Sequence, residues 1–193
     1  MIQKLSVLLF GALISSAAFA QDYGLTVGIH QTTAKVDSST GTNSLAAGST
    51  NGLLNFDVGL TASFELIPNL RFRSGVLYDT RAFEYKLDNG AGTVKFNFAY
   101  VDVPVNVQYN FTPMVGIYGG LIVGVKASDS VSVPNGGSYD PNMKSLYPLL
   151  NVGVNFMFND MIGFDVYAEN GLGEFADHAK NYQTFGLNFI YWL

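Results

Sequence analysis

The sequence predicts an all-β protein: an eight-stranded antiparallel up-and-down transmembrane β-barrel behind an N-terminal signal peptide. Three observations predict it. Apolar and polar residues alternate with a period of two through most of residues 21–193, and no helical stripe interrupts them. Asp, Glu, Lys and Arg make up 13% of the 193 residues, about half of the roughly 25% usual in soluble domains, so a wholly water-facing exterior would be poor in charge. The connections between alternating segments are tight at one rim and long at the other, the arrangement of outer-membrane barrels.

The chain opens with MIQKLSVLLFGALISSAAFA. Lys4 supplies a positive start, Leu5 to Ile14 an apolar stretch, and Ala18-Phe19-Ala20 the small-x-small pattern of a signal-peptidase site before Gln21. An apolar run of about ten residues is too short to span a bilayer, which takes about 20 in a helix. Residues 1–20 are therefore expected to be a cleaved export signal and residues 21–193 a single barrel domain. With Lys4 gone, 9 of the 10 basic residues remain against 15 acidic ones, a formal charge of −6. Cysteine is absent, so no disulfide contributes to stability. The acidic balance excludes nucleic acid as an expected partner.

The first strand carries Tyr23, Leu25, Val27 and Ile29 on one face and Thr26, Gly28 and His30 on the other. The second sets Leu54, Phe56, Val58, Leu60, Ala62, Phe64 and Leu66 against Asn55, Asp57, Gly59, Thr61, Ser63 and Glu65. In the third, Leu70, Phe72, Val76 and Tyr78 oppose Arg71, Arg73, Gly75 and Asp79. The fourth alternates most regularly, with Val101, Val103, Val105, Val107, Tyr109 and Phe111 against Asp102, Pro104, Asn106, Gln108 and Asn110. Val115, Ile117, Leu121, Val123 and Val125 mark the fifth, and Leu146, Leu150, Val152, Val154, Phe156 and Phe158 the sixth. Ile162, Phe164, Val166 and Ala168 mark the seventh, and the closing FGLNFIYWL is the eighth.

Tight turns are expected at Ile67-Pro68-Asn69, Thr112-Pro113 and Asn159-Asp160-Met161, where Pro, Asn and Asp favour hairpin connections. Long polar connections are expected at residues 36–52, 128–145 and 171–181.

Composition decides which face is outside. In a soluble barrel the second face would be rich in Lys and Glu, whereas here it is mostly Gly, Asn, Ser, Thr and Tyr. The interior of eight strands is also narrow, so the bulky face belongs against lipid and small residues such as Gly59, Gly120 and Gly153 inside. Phe64, Phe72, Tyr109, Phe111, Phe158, Phe164, Tyr23 and Tyr191 then fall at the tight-turn rim, as an interfacial aromatic girdle does.

By parity, Asp57, Glu65, Arg71, Arg73, Asp79, Asp102, Asp165 and Glu169 project into the lumen as a charge network, with Arg81 and Lys126 near the outer mouth. Acids and bases are read there in comparable numbers. Two uses are open: an ion-paired plug, or a thin ion path through a porin-like channel. His30 and His178 are the only histidines. No metal-binding or hydrolase spacing accompanies them, so neither metal, cofactor nor catalysis is expected; a lipid-modifying enzyme using His30 and a serine is the remote alternative. Strands three and four exceed the about 9–11 residues that span a bilayer, so the hairpin at 81–100 should project beyond it. Phe83, Tyr85, Phe96 and Phe98 there suggest a change of apolar parity, with a bulge expected at Tyr100-Val101.

YVDVPVNVQYNF at residues 100–111, followed by GIYGGLIVGVKAS at 116–128, resembles the aromatic-led, proline-centred strand and Gly-rich successor of the outer membrane protein β-barrel domain family, a porin-like group of small exported barrels. The resemblance implies an integral outer-membrane barrel of about eight strands in a Gram-negative bacterium, and implies no single activity. Phe185, Leu187, Phe189, Tyr191 and Leu193 look like the C-terminal signal read by the barrel-assembly machinery, with Leu193 in place of the usual terminal aromatic. The expected function is a non-enzymatic, monomeric envelope barrel in outer-membrane lipid, whose surface loops meet an extracellular partner.

Overall fold

The computed structural model describes residues 22–36, 48–86, 92–132, 142–176 and 179–193. The signal segment and its cleavage site, His178, and parts of all the long connections lie outside the described residues. Eight long strands form one sheet: β1 (Asp22–Val36), β2 (Leu54–Ile67), β3 (Leu70–Lys86), β4 (Thr93–Thr112), β5 (Val115–Ser132), β6 (Leu146–Met157), β7 (Ile162–Gly171) and β8 (Ala179–Trp192). Each pairs antiparallel with its successor. β8 returns to β1, from Gly24 opposite Trp192 to Gln31 opposite Phe185, and closes the barrel. Closure gives the backbone polar groups of the wall partners without water, which is the condition for crossing hydrocarbon with strands.

Short ladders extend the wall at the long-loop end. Gly48–Ser49 pairs with β1, Asn51–Gly52 with β3, and Glu174–Ala176 with β8.

The tight turns close by local chemistry. Asn69 takes a left-handed conformation (φ 69) in the first, which Asn tolerates better than most residues. Thr112 Oγ1 accepts from the backbone N–H groups of Met114 (3.2 Å) and Val115 (3.0 Å) in the second. Asn159 Oδ1 accepts from Met161 (2.9 Å) and Ile162 (2.7 Å) in the third. Aromatic pairs brace this rim: Phe64 with Phe72 at 4.6 Å, Tyr109 with Phe111 at 5.3 Å, and Phe158 with Phe164 at 5.3 Å between ring centroids.

Through the lower two thirds of the wall the outward residues are apolar and the inward ones polar. Val27 is 55% exposed beside Thr26 at 3%, and Phe56 is 51% exposed beside Asp57 at 3%. Two glycines make room in the narrow lumen. A Cβ on Gly28 would collide with the Asn188 and Asp57 side chains, and one on Gly186 with Tyr167 and His30.

Above Tyr78 on β3 and Val101 on β4 the polarity reverses. Phe83, Tyr85, Val94, Phe96, Phe98 and Tyr100 point inward and are buried, while Glu84, Lys95, Asn97, Ser128 and Ser130 lie on the outer face. Backbone parity does not change on either strand: even residues of β4 face inward from Asn110 to Val94. The bulge expected at Tyr100-Val101 lies instead across the ladder. Ala99 pairs with Ser128 and Tyr100 with Lys126, so Ala127 of β5 is the extra residue.

What changes is the medium. Lipid favours apolar side chains outside, and water above the bilayer drives them inside. The upper barrel thus has the polarity of a soluble protein and its own hydrophobic core.

Candidate functional site: the luminal charge network and its cap

The luminal side chains form two cross-linked tiers. In the lower one, Arg73 of β3 reaches across to Asp165 of β7, Nη2 to Oδ2 at 2.8 Å, and donates from Nη1 to Gln108 Oε1 at 2.9 Å. Its guanidinium carbon also lies 4.9 Å from the centre of the Tyr118 ring. Asp165 accepts in addition from Asn155 Nδ2 at 2.7 Å. β3 and β7 are four strands apart in a closed ring of eight, so this pair is a bar across the lumen rather than a contact along one wall.

The upper tier centres on Arg81, whose side chain is fully buried. Its Nε donates to Asp79 Oδ2 at 2.8 Å and its Nη2 pairs with Asp102 Oδ2. Tyr100 and Tyr182 stack on the guanidinium at 4.7 and 5.1 Å. An arginine suits this position because its planar fork serves two carboxylates while its faces take aromatic rings.

His30 lies between the tiers, 2% exposed. Its Nε2 donates to the Thr80 carbonyl oxygen at 3.1 Å and lies 3.2 Å from Asp79 Oδ1, and its Nδ1 is 3.6 Å from Asp57 Oδ2. Tyr167 Oη, from β7, donates to Asp57 Oδ2 at 3.3 Å.

Directly above Arg81 sits the aromatic cap. Phe83 stacks on Phe96 at 5.0 Å and meets Phe98 and Phe175 edge-on at 5.6 and 5.8 Å. Phe175 continues to Tyr147 and Tyr182, each at 5.9 Å. Met143, Leu149 and Ile122 complete the packing. This cluster fills the long-loop mouth, and none of its buried members offers a polar path through it apart from the tyrosine hydroxyls.

The opposite end is open. A polar vestibule of about 380 Å³ is lined by Asp22, Arg71, Asn110, Asp160 and Trp192 among others, and reaches up to Arg73.

The residues expected in the lumen separate by depth. Asp57, Arg73, Asp79, Asp102, Asp165 and Glu169 are buried together there. Arg71 is instead at the vestibule wall, paired with Asp22. Glu65 is exposed at the turn rim, where the β2–β3 register shifts between Glu65 and Ile67. Arg81 lies deep beneath the cap, and Lys126 pairs with Asp129 at 3.2 Å higher up the wall.

The balance expected from sequence is corrected accordingly: the buried network holds five carboxyl groups against Arg73, Arg81 and His30. Parity also marks Gln108, Tyr118, Asn155 and Tyr167 as inward, but only the register brings them onto Arg73, Asp165 and Asp57. Phe185, Leu187, Phe189 and Tyr191 lie along the outward face of β8, between β7 and β1, and Leu193 follows directly after the strand, exposed.

Comparison with known proteins agrees with this architecture. The family model described as outer membrane protein beta-barrel domain matches residues 19–186. Among solved structures, Ail, the attachment invasion locus protein of Yersinia pestis, superposes with a TM-score of 0.55 at 17% identity, over 89% of this chain and 98% of that one. Neisserial surface protein A gives 0.52 at 16% identity, over 89% and 96%. The outer membrane protein AlkL gives 0.52 at 13% identity, over 89% and 90%. At these identities the likeness concerns the fold. No curated protein sequence matches the chain.

Proposed function

The chain belongs to the outer membrane protein beta-barrel domain family, and from that premise we propose that it is a non-enzymatic surface scaffold: a barrel plugged along its axis that holds its long loops outside the cell. The observation that carries this reading is the double obstruction of the lumen, the Arg73–Asp165 bar below and the aromatic cap above. A solute crossing it would have to break a buried ion pair and then part a packed aromatic core. Catalysis through His30 is disfavoured by its 2% exposure and by partners that are two carboxylates and a carbonyl, with no serine hydroxyl among them.

In this reading residues 1–20 are removed on export, the outward face of β8 engages the barrel-assembly machinery, and residues 21–193 work as a monomer in outer-membrane lipid without a cofactor. The tight turns then face the periplasm and the long loops the exterior.

The Ail structure is of a complex with a heparin analogue, sucrose octasulfate. A sulfated ligand suits the present chain poorly. Residues 36–52 contain Asp37 and no Lys or Arg, and residues 128–145 contain Asp129 and Asp140 against Lys144. The Ser, Thr, Gly and Asn of these loops suit hydrogen-bonded contact with a neutral or cationic surface instead.

The test is a loop deletion. Thr50 bonds to the backbone of Ala34 at 2.7 and 3.0 Å, and Gly48–Ser49 pairs with β1, so residues 38–46 are the segment to remove. Bacteria displaying the full chain are expected to adhere to protein-coated or abiotic surfaces more than bacteria displaying the deletion, with both barrels equally heat-modifiable on gels. Equal adherence of the two strains, or none above a strain lacking the chain, would contradict the surface role.

A further inference from the structure

We infer that the closed lumen is a cation site, in which a cavity between the two tiers holds one hydrated alkali cation, Na⁺ or K⁺. The inference is independent of what the surface loops bind.

Charge comes first. Asp57, Asp79, Asp102, Asp165 and Glu169 are all at least nine-tenths buried, and only two guanidinium groups are buried among them. Arg73 is committed to Asp165, and Arg81 to Asp79 and Asp102. Five carboxyl groups thus face two arginines. Buried charge of one sign without a counter-charge is costly; protons on the carboxyls or a bound cation would relieve it, and the oxygens around the cavity point to the cation.

The second observation is independent of charge. The cavity measures about 40 Å³, room for about three water-sized positions at roughly 10–15 Å³ each. Among the side chains lining it, Thr26 Oγ1, Asn106 Oδ1, Asn151 Oδ1, Asp102 Oδ1 and Glu169 Oε2 are buried without a hydrogen-bond partner. Every one is an oxygen. The buried nitrogens that lack partners are on His30, Arg81 and Trp192, none of which lines the cavity. A hard cation with a partial water shell is what neutral and charged oxygens around a small space recognise.

Among the described residues no group of three or more His, Cys, Asp or Glu is arranged to cage a metal ion. That favours a weakly held, water-coordinated monovalent ion over a divalent one. The shorter way in is from the periplasmic side, past the Arg73–Asp165 pair: Arg73 lines both the cavity and the vestibule below it, whereas the aromatic cap covers the other side.

The test is the urea unfolding of the refolded barrel in NaCl, KCl and tetramethylammonium chloride at matched ionic strength and at two pH values. The midpoint is expected to rise with the logarithm of the Na⁺ or K⁺ concentration, by on the order of 1 M urea across the accessible range, as linkage to a single binding site requires. In tetramethylammonium, which is too large for the cavity, it should stay low. Glu169→Gln removes a charge facing the cavity and should abolish the difference between salts. If that variant does not refold, Asn151→Leu withdraws a neutral oxygen and should weaken the Na⁺ response. Equal midpoints in the three salts, a midpoint that follows pH alone because a proton has taken the cation's place, or an unaltered Na⁺ response in the Asn151 variant would each overturn the inference.

Discussion

Arg81→Met is expected to destabilise the refolded barrel by about 3–5 kcal/mol, the cost of removing one partner from a buried ion pair. The guanidinium is fully buried, holds Asp79 and Asp102 on neighbouring strands, and is stacked by Tyr100 and Tyr182. Methionine fills much of the same volume, so the loss reports the two carboxylates left facing each other rather than a void. Adding Asp79→Asn and Asp102→Asn to the variant should recover a large part of the loss, because no unpaired charge then remains. Urea unfolding in detergent micelles reads both effects. A single variant as stable as the parent would mean that the upper tier is solvated and not closed.

Phe83→Ala should cost about 3–5 kcal/mol by the ordinary arithmetic of a buried aromatic, even though residue 83 lies on a strand segment beyond the lipid-facing belt. Phe83 is wholly buried and packs on Phe96, Phe98 and Phe175 at once. Glu84→Gln, one residue along and on the other face, should stay within about 0.5 kcal/mol. The contrast tests the inversion of polarity. If the segment were an extended arm in solvent, both changes would be small.

The strands themselves were legible in the sequence, because a period of two assigns faces without knowledge of the fold. Asp57, Asp79, Asp102 and Asp165 fell on the inward face by that rule alone. Parity says which residues share a face, however, and not which medium that face meets. On β4 the even positions run unbroken from Asn110 to Val94, polar where the wall crosses lipid and aromatic above it. Read as sequence this looks like a bulge; in space it is the bilayer boundary.

Depth was equally hidden. Glu65, Arg71 and Arg73 alternate with lipid-facing residues alike, yet Glu65 is at the rim, Arg71 in the vestibule and Arg73 in the closed interior. The separation depends on the stagger of the strands around the ring, which sets how far each inward residue lies from either mouth. The bar from Arg73 to Asp165 joins residues 92 apart in sequence. Nothing local announces it, because the contact exists only once β8 has closed on β1.

The chain is an outer-membrane β-barrel, and whether it serves as a scaffold or a channel turns on whether its lumen is shut. Planar-bilayer recording on the refolded protein tests this most directly. A barred and capped lumen predicts a flat trace, with no discrete steps over the usual voltage range and no change on replacing Arg73 by Gln, provided that variant is folded. Discrete conductance steps from the parent barrel, shifted in size when Arg73 or Asp57 is neutralised, would show a continuous ion path through the network and contradict the plugged scaffold.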